Sequence, residues 1–316
     1  MIGYLKPEKY YNSNLYKPLW SSDNEVNSDN YWANYTFNTI TKYKDYIKIW
    51  TICLEPDSST GILILHPPYS NDVKFSYLEF IRMLRITYKI AKKIDPDCWV
   101  SVSTSSNYEF LDVLMRYTDN PNDGGICNDK YPDYGGAYFD CVGFGKYPDG
   151  KAIDIVTNET ENGNGSDSLT KKIIIVKKNL EYITNKYDFG IKYPKKIFIN
   201  EETGLKSMDS SPSLEIRRIN WILKLSLRSL EYDIKQNHNI KLVDQDKMGG
   251  YGDYEKSQNS YEQLKSSSKA RRILRKINLE KFVYNQSKTE ILRQNLPEGM
   301  FGIVLKRKYP KESQDE

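Results

Sequence analysis

The feature that most constrains this chain is a repeated alternation of short apolar runs with longer amphipathic segments. Five apolar runs have the length and composition of buried strands, and each is followed by apolar residues at helical spacing. The predicted strands cover 46–54, 99–103, 140–144, 196–200 and 240–243. The predicted helices cover 75–94, 110–117, 168–187, 214–234 and 261–277, and residues 30–46 form a further helix ahead of the first of these strands. Repeated strand–helix units predict an α/β fold with a parallel sheet.

The loops after the strands indicate which α/β fold this is. None carries a GxGxxG or GxxxxGK[ST] phosphate loop, which disfavours the doubly wound nucleotide-binding folds. Polar and acidic residues cluster there instead, and in a (β/α)8 barrel those loops form the active-site face. We therefore predict a TIM barrel over residues 1–280. The helical pattern then stops, and residues 281–316 are predicted to hold the start of a C-terminal β segment and a polar tail.

Charge and hydropathy exclude several classes of partner. The chain has 46 Lys+Arg against 42 Asp+Glu, and a net charge of +4 does not imply nucleic acid by itself. The basic run at 269–276 is interpreted as the solvated face of an amphipathic helix. No apolar run approaches the roughly 20 residues of a transmembrane helix, and the first residues lack the apolar stretch of a secretory signal. We expect neither a nucleic-acid nor a membrane partner and, for the chain as it stands, a cytoplasmic location.

Few residues could bind a metal or a cofactor. The four cysteines show no CxxC pairing, and His66 and His238 have no companion ligand nearby in sequence. No Ser-His-Asp or Cys-His arrangement stands out. We expect no cofactor and no metal. The 26 tyrosines fit either a sugar-stacking surface or the compositional drift of an AT-rich genome.

Two glutamates follow two different predicted strands. Glu55 stands directly before Pro56, and Glu201 follows the strand at 196–200, with Gly204 available for a tight turn. Glycoside hydrolysis requires such a pair, because one carboxyl group protonates the leaving oxygen while the other attacks or activates water. The alternative interpretation is that both are solvated loop acids.

Several segments resemble one enzyme clan, the retaining glycoside hydrolases with (β/α)8 barrels. Residues 50–57 (WTICLEPD) resemble its strand-four segment W-x-x-x-N-E-P-D, and residues 197–204 (IFINEETG) its strand-seven segment, where a Glu followed closely by Gly is the nucleophile. Residues 135–148 (GGAYFDCVGFGKYP) are similar to the strand-six segment G-G-A-Y-F-D followed by H-x-Y-P. Residues 117–121 and 248–251 also resemble pieces of one bacterial branch of the clan.

The resemblance covers most of residues 30–305 and implies strands four to eight of a barrel. It implies Glu55 as the general acid/base and Glu201 as the nucleophile. Glu202 is the alternative nucleophile, because Glu202-Thr-Gly matches an E-T-G variant of the motif. A carbohydrate is the implied partner, with no cofactor, and the implied substrate-binding residues are Trp50, Asp57, Tyr147 and Asn200.

The sequence departs from the clan in three places. The Asn before the acid/base is Leu54 here, the His of the strand-six segment is Gly145, and only 54 residues precede Glu55 where three strand–helix units are expected. Three functions stay open: a retaining glycosidase, a sugar-binding protein that has lost catalysis, and a truncated remnant that self-associates because its barrel is incomplete. The resembled clan is often secreted, so the location also stays open, and the sequence does not identify the sugar or its linkage.

Overall fold

A computed structural model describes part of the chain. The described residues are 2–5, 13–23, 25–53, 56–57, 76–104, 108–145, 151–163, 166–186, 192, 197–203, 223, 226–228, 230–232, 237–239, 254–256, 262–264, 282–297 and 303–307. The chain divides into two units. Unit 1 contains residues 1–145, 154–158 and 176–199, and unit 2 contains residues 146–153, 159–175 and 200–316.

Between residues 25 and 145 the described strands alternate with α-helices, whereas several strands follow one another elsewhere. The strands are β1 Ile2–Leu5, β2 Trp20–Ser22, β3 Glu25–Val26, β4 Ile49–Ile52, β5 Trp99–Thr104, β6 Cys141–Gly145, β7 Ala152–Ile153, β8 Thr160–Glu161, β9 Ile197–Thr203, β10 Asn237–Asn239, β11 Tyr254–Lys256, β12 Glu262–Leu264, β13 Phe282–Tyr284 and β14 Leu305–Arg307. The α-helices are α1 Tyr31–Tyr43, α2 Tyr77–Ile94, α3 Tyr108–Arg116, α4 Ser166–Asn185 and α5 Gln286–Gln294. No described helix is both long enough and apolar enough to cross a membrane.

The main sheet has six strands in the order β1-β4-β5-β6-β9-β10. The pairs β1–β4, β4–β5, β5–β6 and β9–β10 are parallel. Each new strand of the sheet is added on the same side of its predecessor, so the strand order never reverses. Because right-handed crossovers that all move in one direction put their helices on one face, this order is that of a singly wound sheet. The fold is therefore mixed α/β, and the sheet formed by the described residues is not closed into a barrel.

The two faces of the sheet differ in chemistry. Strand register puts Ile52, Val102 and Val142 side by side, while the neighbouring row contains Thr51 and Ser101. All five residues are buried. Burial of both faces is typical of parallel sheets, whose strands need apolar residues throughout. Small hydroxyl side chains on one face are the exception here. The buried hydroxyl of Ser101 donates to the carbonyl oxygen of Val102 at 3.3 Å, which lowers the cost of its burial.

Helices α1 and α2 begin where their sequences provide caps. The side chain of Asn30 accepts a hydrogen bond from the backbone N–H of Ala33, and Ser76 and Glu79 form a capping box at the start of α2. The fully buried Trp32 links the two helices, since its Nε1 donates to the carbonyl oxygen of Met83 at 3.1 Å. Most buried indole N–H groups have such a partner.

The structure confirms several predicted elements and corrects others. The helices predicted at 75–94 and 110–117 are α2 and α3, and the helix predicted over 30–46 is α1. The helix predicted over 261–277 is wrong at its start, because β12 pairs there with β11 in an antiparallel ladder. Helical structure continues after residue 280, because α5 follows β13, and β13 pairs with β14 in an antiparallel ladder. The division of the chain at residue 280 stays a prediction. The strand predicted at 240–243 lies outside the described residues, and β10 precedes it.

A carboxylate of unit 2 joins several of its described residues. Glu231 accepts two parallel hydrogen bonds from Arg293, at 2.9 and 2.8 Å, and a third from Arg228 at 3.0 Å. The hydroxyl of Tyr284 donates to the same carboxylate at 3.3 Å. Burial raises the pKa of Glu231, but the hydrogen bonds and charges of the two arginines outweigh it and lower the pKa below its ordinary value.

Replacing Glu231 by Gln is expected to destabilise unit 2 by about 2 kcal/mol at pH 7, because the charge-assisted bonds to Arg293 are weakened. The pKa of the Glu231 carboxyl is lower in the folded state than in the unfolded state, where it is about 4.5, so its ionisation stabilises the fold above that pH. This stabilisation is lost as the pH falls through the pKa of the folded state. Urea unfolding at pH 7 and pH 3 should therefore show the difference between wild type and variant shrinking in acid. A difference that grows in acid would contradict this assignment.

Candidate functional site

The carboxyl end of β4 has an unusual backbone. Cys53 has a φ of 59°, in the left-handed region that residues other than glycine rarely occupy, and its side chain is buried. Its backbone N–H donates to the carbonyl oxygen of Leu5 at 2.9 Å, so the turn begins while the chain is still bonded to the sheet. Outliers of this kind cluster at functional sites. Leu54 and Glu55 come next and lie outside the described residues.

The conformation of Cys53 predicts a specific mutational response. Cys53→Val is expected to be about 2 kcal/mol less stable than Cys53→Ala, because a β-branched side chain is disfavoured at positive φ. Cys141, a buried cysteine in the regular strand β6, is the matched control. There the Val variant should be at least as stable as the Ala variant in urea unfolding. If the difference in free energy of unfolding between the Val and Ala variants is the same at Cys53 and at Cys141, the backbone at Cys53 is not strained.

Asp57, a predicted substrate-binding residue, is tied to the next strand of the sheet. The hydroxyl of Thr104, the last residue of β5, donates to its carboxylate at 2.6 Å. The same carboxylate contributes to the raised pKa of Tyr77, which burial raises first and the charges of Glu109 and Asp57 raise further. The structure therefore brings Asp57 into a bonded cluster at the carboxyl ends of β4 and β5. Sequence reasoning missed Thr104, because the predicted strand ended one residue before it.

Trp50 is placed in the core of unit 1. Its side chain is 1% exposed, and register aligns it with Val100 on β5 and Gly3 on β1. Among the described residues its Nε1 has no hydrogen-bond partner. A ring buried to this degree can support the backbone that leads to Glu55 but exposes no face on which a sugar could stack. Direct contact between Trp50 and substrate stays a prediction.

Strand β6 ends without a polar side chain. Gly143 and Gly145 are both buried, and Gly145 stands where the resembled clan has a histidine. Tyr147, the predicted sugar-site residue two positions further on, lies outside the described residues. Within the described part of the chain, β6 therefore supplies backbone but no hydrogen-bonding side chain at this end of the sheet.

The second predicted carboxylate segment contains an irregularity in its strand. Asn200, Glu201 and Glu202 all lie in β9, where Asn200 pairs with Asn237 of β10 and Thr203 pairs with Asn239. Two residues of β9, the two glutamates, thus oppose the single residue His238, and the register shifts between the paired positions. This is a β-bulge, a feature enriched beside active sites because it redirects a side chain.

The bulge affects the choice between Glu201, the predicted nucleophile, and Glu202, the alternative. Strict alternation along a strand would assign Glu201 and Glu202 to opposite faces, but alternation does not hold through a bulge. Glu201 as nucleophile therefore stays a prediction, with Glu202 as the alternative. No sequence signal could have revealed the bulge, since it depends on the pairing partner.

Within the described ranges, no group of three or more His, Cys, Asp or Glu side chains could hold a metal ion. None of the four cysteines, Cys53, Cys98, Cys127 and Cys141, forms a disulfide.

No protein-family model and no curated protein matches this sequence. The chain does resemble solved structures of glycoside hydrolases. A family 39 glycoside hydrolase from Bacteroides cellulosilyticus WH2 is 14% identical, with a TM-score of 0.48 over 85% of this chain and 49% of that one. A monomeric β-xylosidase from Caulobacter crescentus CB15 is 13% identical, with a TM-score of 0.44 over 77% of this chain and 46% of that one.

An α-L-arabinofuranosidase from Thermotoga maritima is 14% identical, with a TM-score of 0.43 over 71% of this chain and 39% of that one. The chain therefore spans less than half the length of these three enzymes. At these identities and TM-scores, the likeness by itself assigns no function to the chain.

Proposed function

We propose that this protein hydrolyses O-glycosidic bonds of an oligo- or polysaccharide with retention of anomeric configuration. The observation that supports this best is the position of the two glutamate motifs. Strand β4 leads directly into Leu54-Glu55-Pro56-Asp57, and β9 of the same six-stranded sheet contains Asn200-Glu201-Glu202-Thr203. Carboxylates that follow or end strands of such a sheet are the arrangement that retaining hydrolysis uses.

Each glutamate has a defined role in the proposed reaction. Glu201 attacks the anomeric carbon, while Glu55 gives its proton to the departing glycosidic oxygen, and a covalent glycosyl–enzyme ester results. Glu55 then takes a proton from water, which attacks the same carbon and releases Glu201. Two inversions give net retention, and the chemistry requires the two carboxyl groups to be about 5–5.5 Å apart.

Local features support these roles. The turn at Cys53 precedes Glu55 by two residues, and the bulge in β9 falls on Glu201 and Glu202. The hydrogen bond from Thr104 to Asp57 ties the chain to β5 two residues after Glu55. We further propose that the six strands of the main sheet, whose order does not reverse, are part of a (β/α)8 barrel. We also propose that Tyr147 and Asn200 contact the sugar.

A second function is favoured by Leu54 and Gly145. The resembled clan has hydrogen-bonding side chains at both positions, and losing such a contact in the transition state costs about 3 kcal/mol. A protein without them could bind a carbohydrate and turn it over slowly or not at all. This gives a sugar-binding protein without catalysis as the alternative proposal.

One assay distinguishes the two proposals. The full chain is incubated with 4-nitrophenyl glycosides, including β-D-xyloside, α-L-arabinofuranoside, β-D-glucuronide and β-D-glucoside. The glycosidase predicts release of nitrophenol from at least one of them, with the first-formed sugar having the anomeric configuration of the substrate by NMR. An inverted product would contradict the retaining mechanism. Oligosaccharide binding by calorimetry, with no turnover of any glycoside, would favour the alternative.

A further inference from the structure

Unit 1 contains a cavity of ≈ 410 Å³ whose lining includes no residue of the two glutamate motifs. Its polar lining is cationic: Arg82, Arg85 and Lys89 on helix α2, together with Lys130 from the loop after α3. Apolar atoms of Pro18, Leu19 and Ile86 and the ring of Tyr16 complete the wall. Pockets for small ligands commonly have about 300–1,000 Å³ and combine an apolar lining with a few converging polar groups.

The two arginines are held in place by one buried carboxylate. Asp119 is fully buried, and it accepts hydrogen bonds from Arg82 and from Arg85, each at 3.1 Å. Arg82 also donates to the carbonyl oxygen of Leu15 at 3.1 Å, and Arg85 to that of Lys130 at 3.0 Å. These bonds fix both guanidinium groups at the cavity wall with most of their surface withdrawn from water.

The residues that line the cavity include four cationic side chains and no carboxylate. The carboxylate of Asp119 is bonded to two of the four. Lys89 makes no ion pair with any residue in the described part of the chain. Burial first, and the nearby Arg85 and Arg82 second, lower the pKa of its ammonium group, against the opposing charges of Asp119 and Asp133. A partly desolvated cation beside two others is stabilised by an added anion.

We propose that this cavity is a binding site for a phosphate or sulfate group, either as the free ion or as part of a small ester. Fixed guanidinium groups suit tetrahedral oxyanions, because their N–H groups form directed, charge-assisted hydrogen bonds. The ammonium groups of Lys89 and Lys130, on flexible side chains, supply further hydrogen-bond donors to the same cavity. The aromatic ring of Tyr16 and the apolar wall leave room for the organic part of an ester. This site is independent of the proposed glycosidase activity.

The test is calorimetric titration of the full chain with inorganic phosphate, sulfate and glucose 6-phosphate, at constant ionic strength set with chloride. Saturable one-site binding is expected for at least one of these probes. Lys89→Met is expected to weaken that binding about tenfold, the effect of one lost charge-assisted hydrogen bond. The affinity of glucose 6-phosphate relative to phosphate tells whether the free ion or an ester is preferred.

The matched control is Lys178→Met, which removes an exposed lysine of helix α4 away from the cavity. It should leave the dissociation constant unchanged. Lys130→Met provides a second test should Lys89→Met fold poorly, since Arg85 is bonded to the backbone of Lys130 and not to its side chain. Absence of saturable binding for all three probes would overturn the proposal, as would equal weakening by Lys178→Met.

Discussion

Replacing Glu201 by Gln is expected to lower kcat/KM on an activated aryl glycoside by about 10⁴-fold or more. The amide keeps the size of the side chain but has no negative charge with which to form the glycosyl–enzyme ester. Glu202→Gln is the matched control, since it makes the same change one residue along the same bulged strand. Its expected effect is less than about tenfold.

Glu55→Gln should show a different signature. Loss of a general acid costs about 10²–10⁴-fold, and mainly for glycosides whose leaving group needs a proton. The loss should therefore be larger for a methyl glycoside than for a nitrophenyl glycoside, whereas Glu201→Gln should impair both. A large loss in Glu202→Gln with activity retained in Glu201→Gln would reverse the assignment within the bulge.

Replacing Asp119 by Ala is expected to destabilise unit 1 by about 3–5 kcal/mol. The change leaves Arg82 and Arg85, whose side chains are 12% and 11% exposed, without the carboxylate they share. Uncompensated buried charge is among the most costly single changes in a folded protein. Against a total stability of about 5–15 kcal/mol, this is a large fraction.

Urea unfolding measures the effect of Asp119→Ala. The control is Asp29→Ala, which removes an exposed carboxylate paired with Lys17 at 3.5 Å and should cost less than about 0.5 kcal/mol. Asp119→Asn should fall between the two, because the amide oxygen still accepts one hydrogen bond. A loss of less than 1 kcal/mol in Asp119→Ala would show that the arginines find other partners.

Elements defined by local pattern could be predicted from the sequence. Helix α2 has apolar residues at helical spacing and its own capping box, and the prediction of 75–94 agrees with its observed span. Strand β5 was predicted to within one residue. Both follow from period and flanking residues, which are local properties of the chain.

Elements that depend on a distant partner could not be predicted. Strand β1 has only four residues, and it is stabilised by pairing with β4, 47 positions away in register. The helical spacing at 261–277 gave no hint that β12 would pair with β11. The pairing of Asp119 with two arginines of α2 is likewise a contact between residues more than 30 positions apart.

The candidate site also combines features that the sequence predicts with features that it does not. Residue type and order pointed to Glu55, Asp57 and Glu201, and the structure places the latter two at the carboxyl end of β4 and within β9. The left-handed turn at Cys53 has no sequence signal, because cysteine is not a residue that favours positive φ. The bulge at Glu201 and Glu202 arises only from pairing with β10.

Covalent trapping tests the central claim most directly. The full chain is treated with activated 2-deoxy-2-fluoro glycosides of the sugars it turns over, then digested with trypsin. Glu201 and Glu202 are the only carboxylic side chains of the tryptic peptide 197–206, so fragmentation can locate the adduct. The proposed mechanism predicts one fluorosugar esterified to Glu201. An adduct on another residue, or turnover with no covalent intermediate, would contradict it.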